Sequence, residues 1–350
     1  MSVVRLTHGY RFKSRLIIAM LQVLDALLCM LPLKKRGMPS KPDRILLMKP
    51  DHFGDLLMLS SVLPLFKQRY PAAKLDVACQ QASAEVLKDN PHIQKCVSLD
   101  HPLYLRTKQG IGASIVSLFS TVRALKREKY DLCLNMRDAA GDLILLARLG
   151  GCGCIAGHAT GGFGPLLDVV APWREGKHEV EHFLEVLEAI GINAGITDCG
   201  YELYQTPEDM IFVEQMIERF RKHPFVIIHP GSGDVRKLID PKEWVKIITD
   251  VPENTCIAIT GTRDEQKLFK EISRLVTRPL IDLTGELSIH QLALLFGKAA
   301  HVYTLDSLAA HLAAFSGATT TVYWSDFNDL NQWRPLGGFV DFIKTTQEKQ

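Results

Sequence analysis

The sequence predicts two α/β domains of Rossmann type, each built on a parallel sheet, with an amphipathic helix ahead of them. A length of 350 residues suits two such domains, at about 150 residues per domain. From residue 44 onward, short apolar runs alternate with helical patterns, which is typical of parallel strands joined by crossover helices. This alternation restarts at residue 225, so we expect a second sheet there.

Composition and charge exclude several classes of protein. Hydrophobic residues make up 47% and charged residues 23% of the chain, as in ordinary packed proteins, which excludes a disordered or fibrous chain. The 41 basic and 39 acidic side chains give a net charge of +2, so we expect no nucleic-acid partner. The 8 cysteines form no C-x-x-C pair, which indicates a reducing compartment rather than a disulfide scaffold or a zinc ribbon.

The N-terminal segment, residues 1–40, is strongly basic and contains a single acid, Asp25. Residues 16–33 are mostly apolar and have basic clusters on both sides. On a helix, the polar side chains of this region share one narrow stripe: Arg11, Arg15, Gln22, Asp25 and Arg36. We predict that residues 1–40 form a membrane-surface segment, held by apolar contacts and by attraction to anionic lipid. A helix packed on the protein body and a membrane span are the alternatives, and Asp25 disfavours the span.

The first predicted domain covers residues 41–205. Its expected strands are 45–48, 75–79, 96–99 and 132–135, and its expected helices are 55–69, 82–89, 111–128, 140–149 and 178–190. The second predicted domain covers residues 206–350. Its expected strands are 225–228, 256–260, 280–283, 301–305 and 319–323, and its expected helices are 241–250, 264–275, 288–298 and 307–315.

Two motifs match known signatures in an unsuitable context. Residues 178–182 match H-E-x-x-H, the pattern of zinc proteases, but acids in a first turn are also typical of a helix start. Residues 151–156 match G-x-G-x-x-A, yet a dinucleotide site needs a strand before the motif, and here a helical pattern precedes it. We therefore expect a helix start and a helix-end turn, with no zinc and no nicotinamide cofactor.

The loop after the first predicted strand, residues 49–55, lies where parallel sheets bind their ligands. Gly54 permits a close approach of the backbone, and Asp55 comes at the start of a helix. Asp is a common helix N-cap, and a carboxylate beside a ligand crevice can also take a proton. Both roles of Asp55 stay open on the residues alone.

Two loops of the second half suit a phosphate. Residues 229–233 are His-Pro-Gly-Ser-Gly, whose backbone N–H groups can form an anion nest, and Arg236 and Lys237 add positive charge. A diphosphate fits such a nest, and a plain connection between strand and helix is the alternative. Residues 304–307 follow another strand and begin the helix that carries His311, which is either near a ligand or a core histidine.

Taken in order, these motifs resemble the heptosyltransferases of glycosyltransferase family 9. The resemblance covers nearly everything after residue 43. The residues that carry it are Gly54-Asp55, Leu63-Pro64, residues 229–233, Lys237, Asp306-Ser307 and His311.

The resemblance implies a GT-B architecture, in which two Rossmann-like domains face a cleft. It implies inverting, metal-independent transfer of heptose from ADP-heptose to a lipopolysaccharide core or a related glycolipid or polysaccharide acceptor, without a cofactor. The enzyme would be cytoplasmic and peripheral on the inner face of the bacterial inner membrane. Asp55 would be the general base. The donor phosphates would be bound by Gly231, Ser232, Gly233, Lys237, Asp306, Ser307 and His311. The acceptor side would include Lys49, His52 and Arg137.

The chain departs from the family at residues 306–309, which are Asp-Ser-Leu-Ala where Asp-Ser-Gly-Pro is common. Two alternatives therefore stay open. One is a GT-B transferase that uses a different nucleotide sugar. The other is a degenerate sugar-nucleotide-binding protein that takes part in envelope assembly.

Overall fold

The computed structural model describes residues 9–12, 14–99 and 111–345, and the side chains of the helix that starts at residue 111 are described from residue 118. The chain divides into two compact units, Met1–Cys199 and Gly200–Gln350. Each unit is built around a parallel sheet. The expected domain limits at residues 40 and 205 stay predictions.

The first unit is a doubly wound α/β unit. Its described strands are β1 (Arg44–Met48), β2 (Lys74–Cys79), β3 (Lys95–Ser98), β4 (Leu132–Asn135), β5 (Cys154–His158) and β6 (Val169–Ala171). Its described α-helices are α1 (Arg15–Met30), α2 (Phe53–Ser60), α3 (Leu63–Arg69), α4 (Ile111–Glu128), α5 (Gly141–Leu149) and α6 (Glu179–Ala189). The strand order is β3-β2-β1-β4-β5-β6. The order reverses between β1 and β4, so the loops that follow these two strands meet at the edge where such sheets bind ligands.

The second unit repeats this topology. Its described strands are β7 (Phe225–His229), β8 (Cys256–Gly261), β9 (Ile281–Thr284), β10 (His301–Leu305), β11 (Thr319–Trp324) and β12 (Phe339–Lys344). Its described α-helices are α7 (Pro207–Ile217), α8 (Pro241–Asp250), α9 (Gln266–Leu275), α10 (Ile289–Phe296), α11 (Leu308–Phe315) and α12 (Leu330–Trp333). The strand order is β12-β11-β10-β7-β8-β9, so the reversal lies between β7 and β10. The loops after β7 and β10 therefore lie side by side.

The central strands of both sheets are as expected because they are continuous apolar runs buried on both faces. The core of the first unit contains Leu46 and Met48 of β1 together with residues of α5, and the core of the second contains Ile228 of β7 packed with Trp244 of α8. All four of these side chains are almost completely buried. Because a strand that is buried on both faces is apolar along its whole length, a short continuous apolar run predicts such a strand.

Several expected elements need correction. The helix expected over residues 55–69 is two helices, because α3 starts anew with Pro64 in its first turn, a position that proline favours. The helix expected over residues 82–89 is a short 3₁₀ helix, Ser83–Leu87. Strands β6 and β12 and helices α7 and α12 were not predicted. The strand β6 has only three residues, and β12 pairs on one side only and is largely exposed.

Helix α1 packs on the first unit through a narrow inner face that centres on Asp25. The Asp25 carboxylate is buried and accepts hydrogen bonds from the Tyr10 hydroxyl (2.9 Å) and from the Phe163 N–H (2.7 Å). Leu21 lies against Gly162, and Leu28 packs on the core. The inner face of α1 is thus mostly apolar around one buried carboxylate, whereas the other polar side chains of the helix, Arg15 and Gln22, are exposed.

The outer face of α1 is apolar and exposed, and its exposed side chains include Leu16, Met20, Val23, Leu27 and Met30. The predicted polar stripe is wrong in two respects. Arg11 precedes the helix and Arg36 follows it, and Asp25 does not face solvent. None of the described helices combines the length and the apolar character that crossing a bilayer requires.

Candidate active site

The loop after β1 brings Asp55 to the start of α2. Asp55 is the third residue of α2 and not its N-cap, which is His52; one oxygen of its carboxylate accepts a hydrogen bond from the backbone N–H of His52 at 3.3 Å, the return contact of a capping box. Burial and the neighbouring carboxylate of Asp51 raise the pKa of Asp55 to about 7, while the positive charge of Lys49 acts in the opposite direction. A carboxyl group with this pKa can exchange a proton at neutral pH, which an ordinary helix cap does not do.

Lys49, the first residue of this loop, is buried with only 1% of its surface exposed. Its ammonium lies 2.8 Å from Oε1 of Glu179 and 3.3 Å from Oδ2 of Asp51. Burial alone would lower the pKa of Lys49, but the surrounding carboxylates, Glu179 foremost, raise it well above its usual value. Lys49 therefore stays charged and balances the acids around Asp55.

Arg137 joins the cluster from the loop after β4, the strand next to β1. Its Nε lies 2.9 Å from Oδ1 of Asp51, which thus links Arg137 to Lys49. Of the residues expected on the acceptor side, Lys49 and Arg137 belong to this cluster, and His52 is the N-cap residue of α2. Sequence reasoning missed Asp51 and Glu179, although Asp51 lies in the loop that it singled out.

In the second unit, Lys237 and Asp306 join the loops after β7 and β10. The Lys237 ammonium donates to Oδ2 of Asp306 at 2.7 Å and to its backbone carbonyl at 3.0 Å. The amide of Asn328 donates to the same carboxylate oxygen at 2.9 Å. Lys237 and Asp306, which the sequence assigns to one phosphate site, are thus in contact. Asn328 also contacts Asp306, and the sequence analysis did not predict this residue.

The glycine-containing loop after β7 is held by its own side chains. Ser232 Oγ accepts a hydrogen bond from Asp234 N–H (3.3 Å), and the Asp234 carboxylate accepts from the Arg236 guanidinium (2.6 Å for the closer pair). The Arg236 guanidinium also lies 3.9 Å from the ring centre of Phe327. Arg236 is therefore engaged within the loop, whereas Lys237 points toward the loop after β10.

Gly231 lies close to the side chain of Glu265. A Cβ at this position would lie 2.1 Å from Oε1 of Glu265, whose other oxygen accepts from Thr262 N–H at 2.7 Å. This contact places a carboxylate directly beside the candidate phosphate loop. Gly233 also belongs to this loop, and it interacts with other described residues.

Comparison with known proteins identifies the family. Residues 118–325, more than half of the chain, match the model of glycosyltransferase family 9 (heptosyltransferase). The chain belongs to this family. Lipopolysaccharide heptosyltransferase 3 of Escherichia coli K12 is 26% identical to this family 9 chain over 303 residues, or 79% of this chain and 83% of the relative.

Solved structures confirm the fold class of the family 9 chain. A family 9 glycosyl transferase of Veillonella parvula superposes with a TM-score of 0.72, at 15% identity, over 89% of this chain and 88% of the other. The ADP-heptose lipopolysaccharide heptosyltransferase II of Escherichia coli superposes with a TM-score of 0.68, at 18% identity, over 87% and 91%. The expected GT-B type of fold, with two parallel α/β sheets, is thus confirmed.

Ser307 precedes α11 of the family 9 chain as its N-cap residue, and His311 lies within this helix. Ser307 Oγ caps the helix by accepting from Ala309 N–H at 3.3 Å. The imidazole Nδ1 of His311 lies 2.7 Å from the Tyr201 hydroxyl, which also accepts from Leu336 N–H at 2.9 Å. His311 thus has a structural partner within the second unit, and its contact with the donor stays a prediction.

The two misleading motifs have the structures expected of them in this family 9 chain. His178 is the N-cap of α6, with its Nδ1 accepting from Val180 N–H at 3.1 Å. Glu179 is the first residue of α6 and pairs with Lys49. The G-x-G-x-x-A segment begins at Gly151, after the end of α5, and runs into β5. It therefore lacks the strand-to-helix context of a dinucleotide site.

One group of described residues in the first unit has side chains suited to a metal ion. Ligand atoms of His158, His182 and Glu185 lie within 4.8 Å of one another, and all three residues are buried. Burial lowers the pKa of both histidines to about 4. However, Nδ1 of His182 already lies 3.0 Å from Oε2 of Glu185, and the ring of Trp173 stacks on His182 at 3.5 Å. These contacts explain the group as part of the packing between α6 and β5. The expected absence of a catalytic metal stays a prediction.

Proposed function

We propose that this family 9 chain is an inverting, metal-independent heptosyltransferase that moves heptose from ADP-heptose to a lipopolysaccharide core or a related glycan acceptor. The observation that carries the proposal is Asp55: a carboxyl group with its pKa raised to about 7, at the ligand-binding edge of its sheet. The names of the similar proteins support the donor and acceptor classes, since they include an ADP-heptose lipopolysaccharide heptosyltransferase and a lipopolysaccharide heptosyltransferase.

In the proposed reaction, Asp55 accepts the proton of the acceptor hydroxyl while the hydroxyl oxygen attacks the anomeric carbon of the donor sugar. The bond from that carbon to the diphosphate oxygen breaks, and its electron pair leaves with ADP. A single displacement of this kind inverts the configuration at the anomeric carbon. Asp55 acts as general base because its pKa lies near the pH at which the enzyme works.

The departing diphosphate needs positive charge and N–H donors. We assign these to Lys237, to the backbone of Gly231, Ser232 and Gly233, and to the first turn of α11 after Ser307. Asp306 holds the Lys237 ammonium in place, and Asn328 in turn holds the Asp306 carboxylate. With a fixed cation and aligned amides, the donor site has the means to stabilise the leaving group without a metal ion.

On the acceptor side, Arg137 is better suited than Lys49 to contact the substrate. The side chain of Lys49 is buried between Glu179 and Asp51, whereas that of Arg137 is 29% exposed. A guanidinium can bind a phosphate or carboxylate of the acceptor in bidentate fashion. Lys49 instead keeps the charge around Asp55 in balance.

We also propose that the protein is peripheral on the cytoplasmic face of the inner membrane, where glycolipid acceptors are found. The support is the exposed apolar face of α1, on which Leu16 and Met30 are 71% and 81% exposed. Replacing Met20 and Leu27 with serine should move the protein from the vesicle-bound to the free fraction in a flotation assay. Met210→Ser with Ile211→Ser, two exposed apolar residues on α7, is the matched control and should leave flotation unchanged.

The test of the catalytic proposal is a comparison of nucleotide sugars followed by a turnover assay. ADP-heptose should raise the thermal midpoint of the protein and should be consumed when a heptose-deficient lipopolysaccharide core is added. A shift with another nucleotide sugar, and none with ADP-heptose, would establish the alternative donor. Donor binding without transfer to any core acceptor would instead favour the non-catalytic envelope-assembly alternative.

A further inference from the structure

A basic cavity of about 240 Å³ lies in the first unit, where the segment after α1 meets the body of the unit. Four basic side chains line this cavity, which we name the basic pocket, together with three apolar residues: Lys34, Lys35, Arg36, Arg148, Leu33, Pro165 and Leu166. The volume is below the about 300–1,000 Å³ that is typical of sites for drug-sized molecules. A compact group is therefore the kind of ligand that the pocket fits, and its four cations favour an anionic one.

The charge of the basic pocket is only partly balanced. Asp168 lies beside it, and its buried carboxylate is 2.8 Å from Nη2 of Arg148 and accepts from the backbone N–H of Arg36 at 2.8 Å. Lys35 donates to the carbonyl oxygens of Pro165 and Leu167, which carry no formal charge. Burial lowers the pKa of Lys35, the negative charge of Asp168 acts in the opposite direction, and the positive charge of Arg148 lowers this pKa further. The pocket thus keeps a clear excess of positive charge, which an anion would relieve.

Lys34, Lys35 and Arg36 are all exposed, and Lys34 differs from the other basic residues of the pocket in its bonding. Among the described residues it has neither an ion-pair nor a hydrogen-bond partner, whereas Lys35, Arg36 and Arg148 all bond to backbone carbonyl groups. Three of the cations are therefore fixed in position, and the fourth can close over a ligand. This combination is a preformed site rather than a scatter of surface charge.

The pocket adjoins the end of the exposed apolar face of α1. The outward side chains of the helix recur at alternating intervals of four and three residues: Leu16, Met20, Val23, Leu27 and Met30. This row ends at Met30 and Leu31, and the pocket begins two residues later at Leu33. An apolar surface that runs into a cationic pocket matches the two parts of an anionic lipid.

We propose that the basic pocket binds the phosphate of an anionic phospholipid headgroup while the acyl chains of that lipid lie along the apolar face of α1. The proposal rests on the membrane association proposed above and assigns it a specific headgroup site. A second copy of this chain is a poorer occupant, because pairing two α1 faces would bring like-charged pockets together. A phosphate in the pocket would neutralise the excess charge and form charge-assisted hydrogen bonds with Lys34 and its fixed neighbours.

The decisive experiment compares Lys34→Glu with Lys88→Glu in the full chain. Both lysines are exposed, both lie in the first unit, and both substitutions change the net charge equally, but only Lys34 lines the pocket. Affinity is measured by flotation with phosphatidylcholine vesicles that do or do not contain phosphatidylglycerol. Binding of dihexanoyl phosphatidylglycerol, a soluble short-chain lipid, and of inorganic phosphate is measured by calorimetry.

We expect Lys34→Glu to weaken binding to the anionic vesicles and to the short-chain lipid at least tenfold, and Lys88→Glu to change either by less than twofold. Equal losses in the two variants would show a diffuse surface attraction and overturn the proposal. Inorganic phosphate that binds as tightly as the short-chain lipid would show an anion site without lipid specificity, which also overturns it.

The design separates this proposal from the membrane association on which it rests. If the wild-type protein binds the short-chain lipid but no vesicle, the headgroup site stands and membrane association fails. If it binds neutral and anionic vesicles equally and ignores the short-chain lipid, membrane association stands and the headgroup site fails. Lys35→Gln provides a second variant, in which the pocket loses a fixed cation, and it should weaken binding of the short-chain lipid in the same direction.

Discussion

The ammonium of Lys49 lies 2.8 Å from Oε1 of Glu179, and both side chains are almost fully buried. The pair connects the end of the central strand β1 to the first turn of α6. Because both charges are removed from water, each depends on the other, and removing one partner leaves an uncompensated buried charge. The same pair sets the electrostatic environment of Asp55, whose pKa responds to both residues.

Replacing Asp55 with asparagine should lower turnover by about 10²–10⁴-fold, because the reaction loses its general base while the donor loops in the second unit are untouched. Steady-state kinetics and a donor-binding titration measure the two effects separately. Turnover within a few-fold of wild type would show that Asp55 only completes the capping box of α2.

The pH profile of the wild-type enzyme should report the same group. Asp55 has its pKa raised to about 7, and only its carboxylate form accepts a proton, so kcat/KM should fall as the pH drops below about 7 and level off above it. Because folding raises the pKa of Asp55, the folded state loses stability as the pH rises from the usual pKa of an Asp to about 7, and this loss is complete above about 7. Asp55→Asn should therefore raise the thermal midpoint, and more so above about pH 7 than at mildly acid pH.

Two substitutions in the buried pair should move the acidic limb of this profile in opposite directions. The negative charge of Glu179 raises the pKa of Asp55 and the positive charge of Lys49 lowers it. Glu179→Gln should therefore shift the limb to lower pH, and Lys49→Met should shift it to higher pH. If Lys49 and Glu179 had a purely structural role, both variants would lose activity without a shift of the acidic limb. The direction of the shift therefore tests whether the two charges set the pKa of Asp55.

Lys237→Ala should raise the KM for the donor by about 10–100-fold, the usual consequence of losing a hydrogen bond between charged groups. The reason is that its ammonium lies at the reversal point of the second sheet, beside Asp306. Lys242→Ala removes an exposed lysine from the start of α8 and is the matched control. Equal donor KM values for the two variants would leave the loop after β7 with a structural role only.

Asp25→Ala should loosen α1 from the first unit. The substitution leaves the buried N–H of Phe163 and the hydroxyl of Tyr10 without their acceptor, and an unsatisfied buried donor costs about 1–3 kcal/mol. Limited proteolysis should then cut the chain within α1 or just after it much faster than in the wild type. Gln22→Ala, an exposed position on the same helix, should leave the rate of cutting unchanged.

The central parts of the fold could be predicted because continuous apolar runs such as β1 and β7 reflect burial on both faces of a parallel sheet. The reversal of strand order could not be read from any local pattern, yet it is what brings Arg137 to Asp51 and Lys237 to Asp306. Short or exposed elements such as β6 and β12 escaped prediction because their sequences carry little periodicity.

The candidate site was predictable only where residue type and loop position agreed. Asp55 and Lys237 lie in loops at strand ends, so the sequence marked them. Glu179 belongs to a motif whose obvious meaning was a zinc site, and its real partner, Lys49, is 130 positions away in the chain. The burial of Asp25 could not be predicted, because helical periodicity tells which side chains share a face but not which face points inward.

The contacts of the N-terminal segment also govern how the protein can be prepared. A truncated form that starts at β1 would lose Asp25, Lys35 and Arg36, which bond to Phe163, to the carbonyls of Pro165 and Leu167, and to Asp168. Removing the apolar N-terminal helix to ease purification would thus remove contacts that hold the connection between β5 and β6, around residues 160–168. Samples for crystallisation are better obtained by keeping α1 whole and making its outer surface more polar.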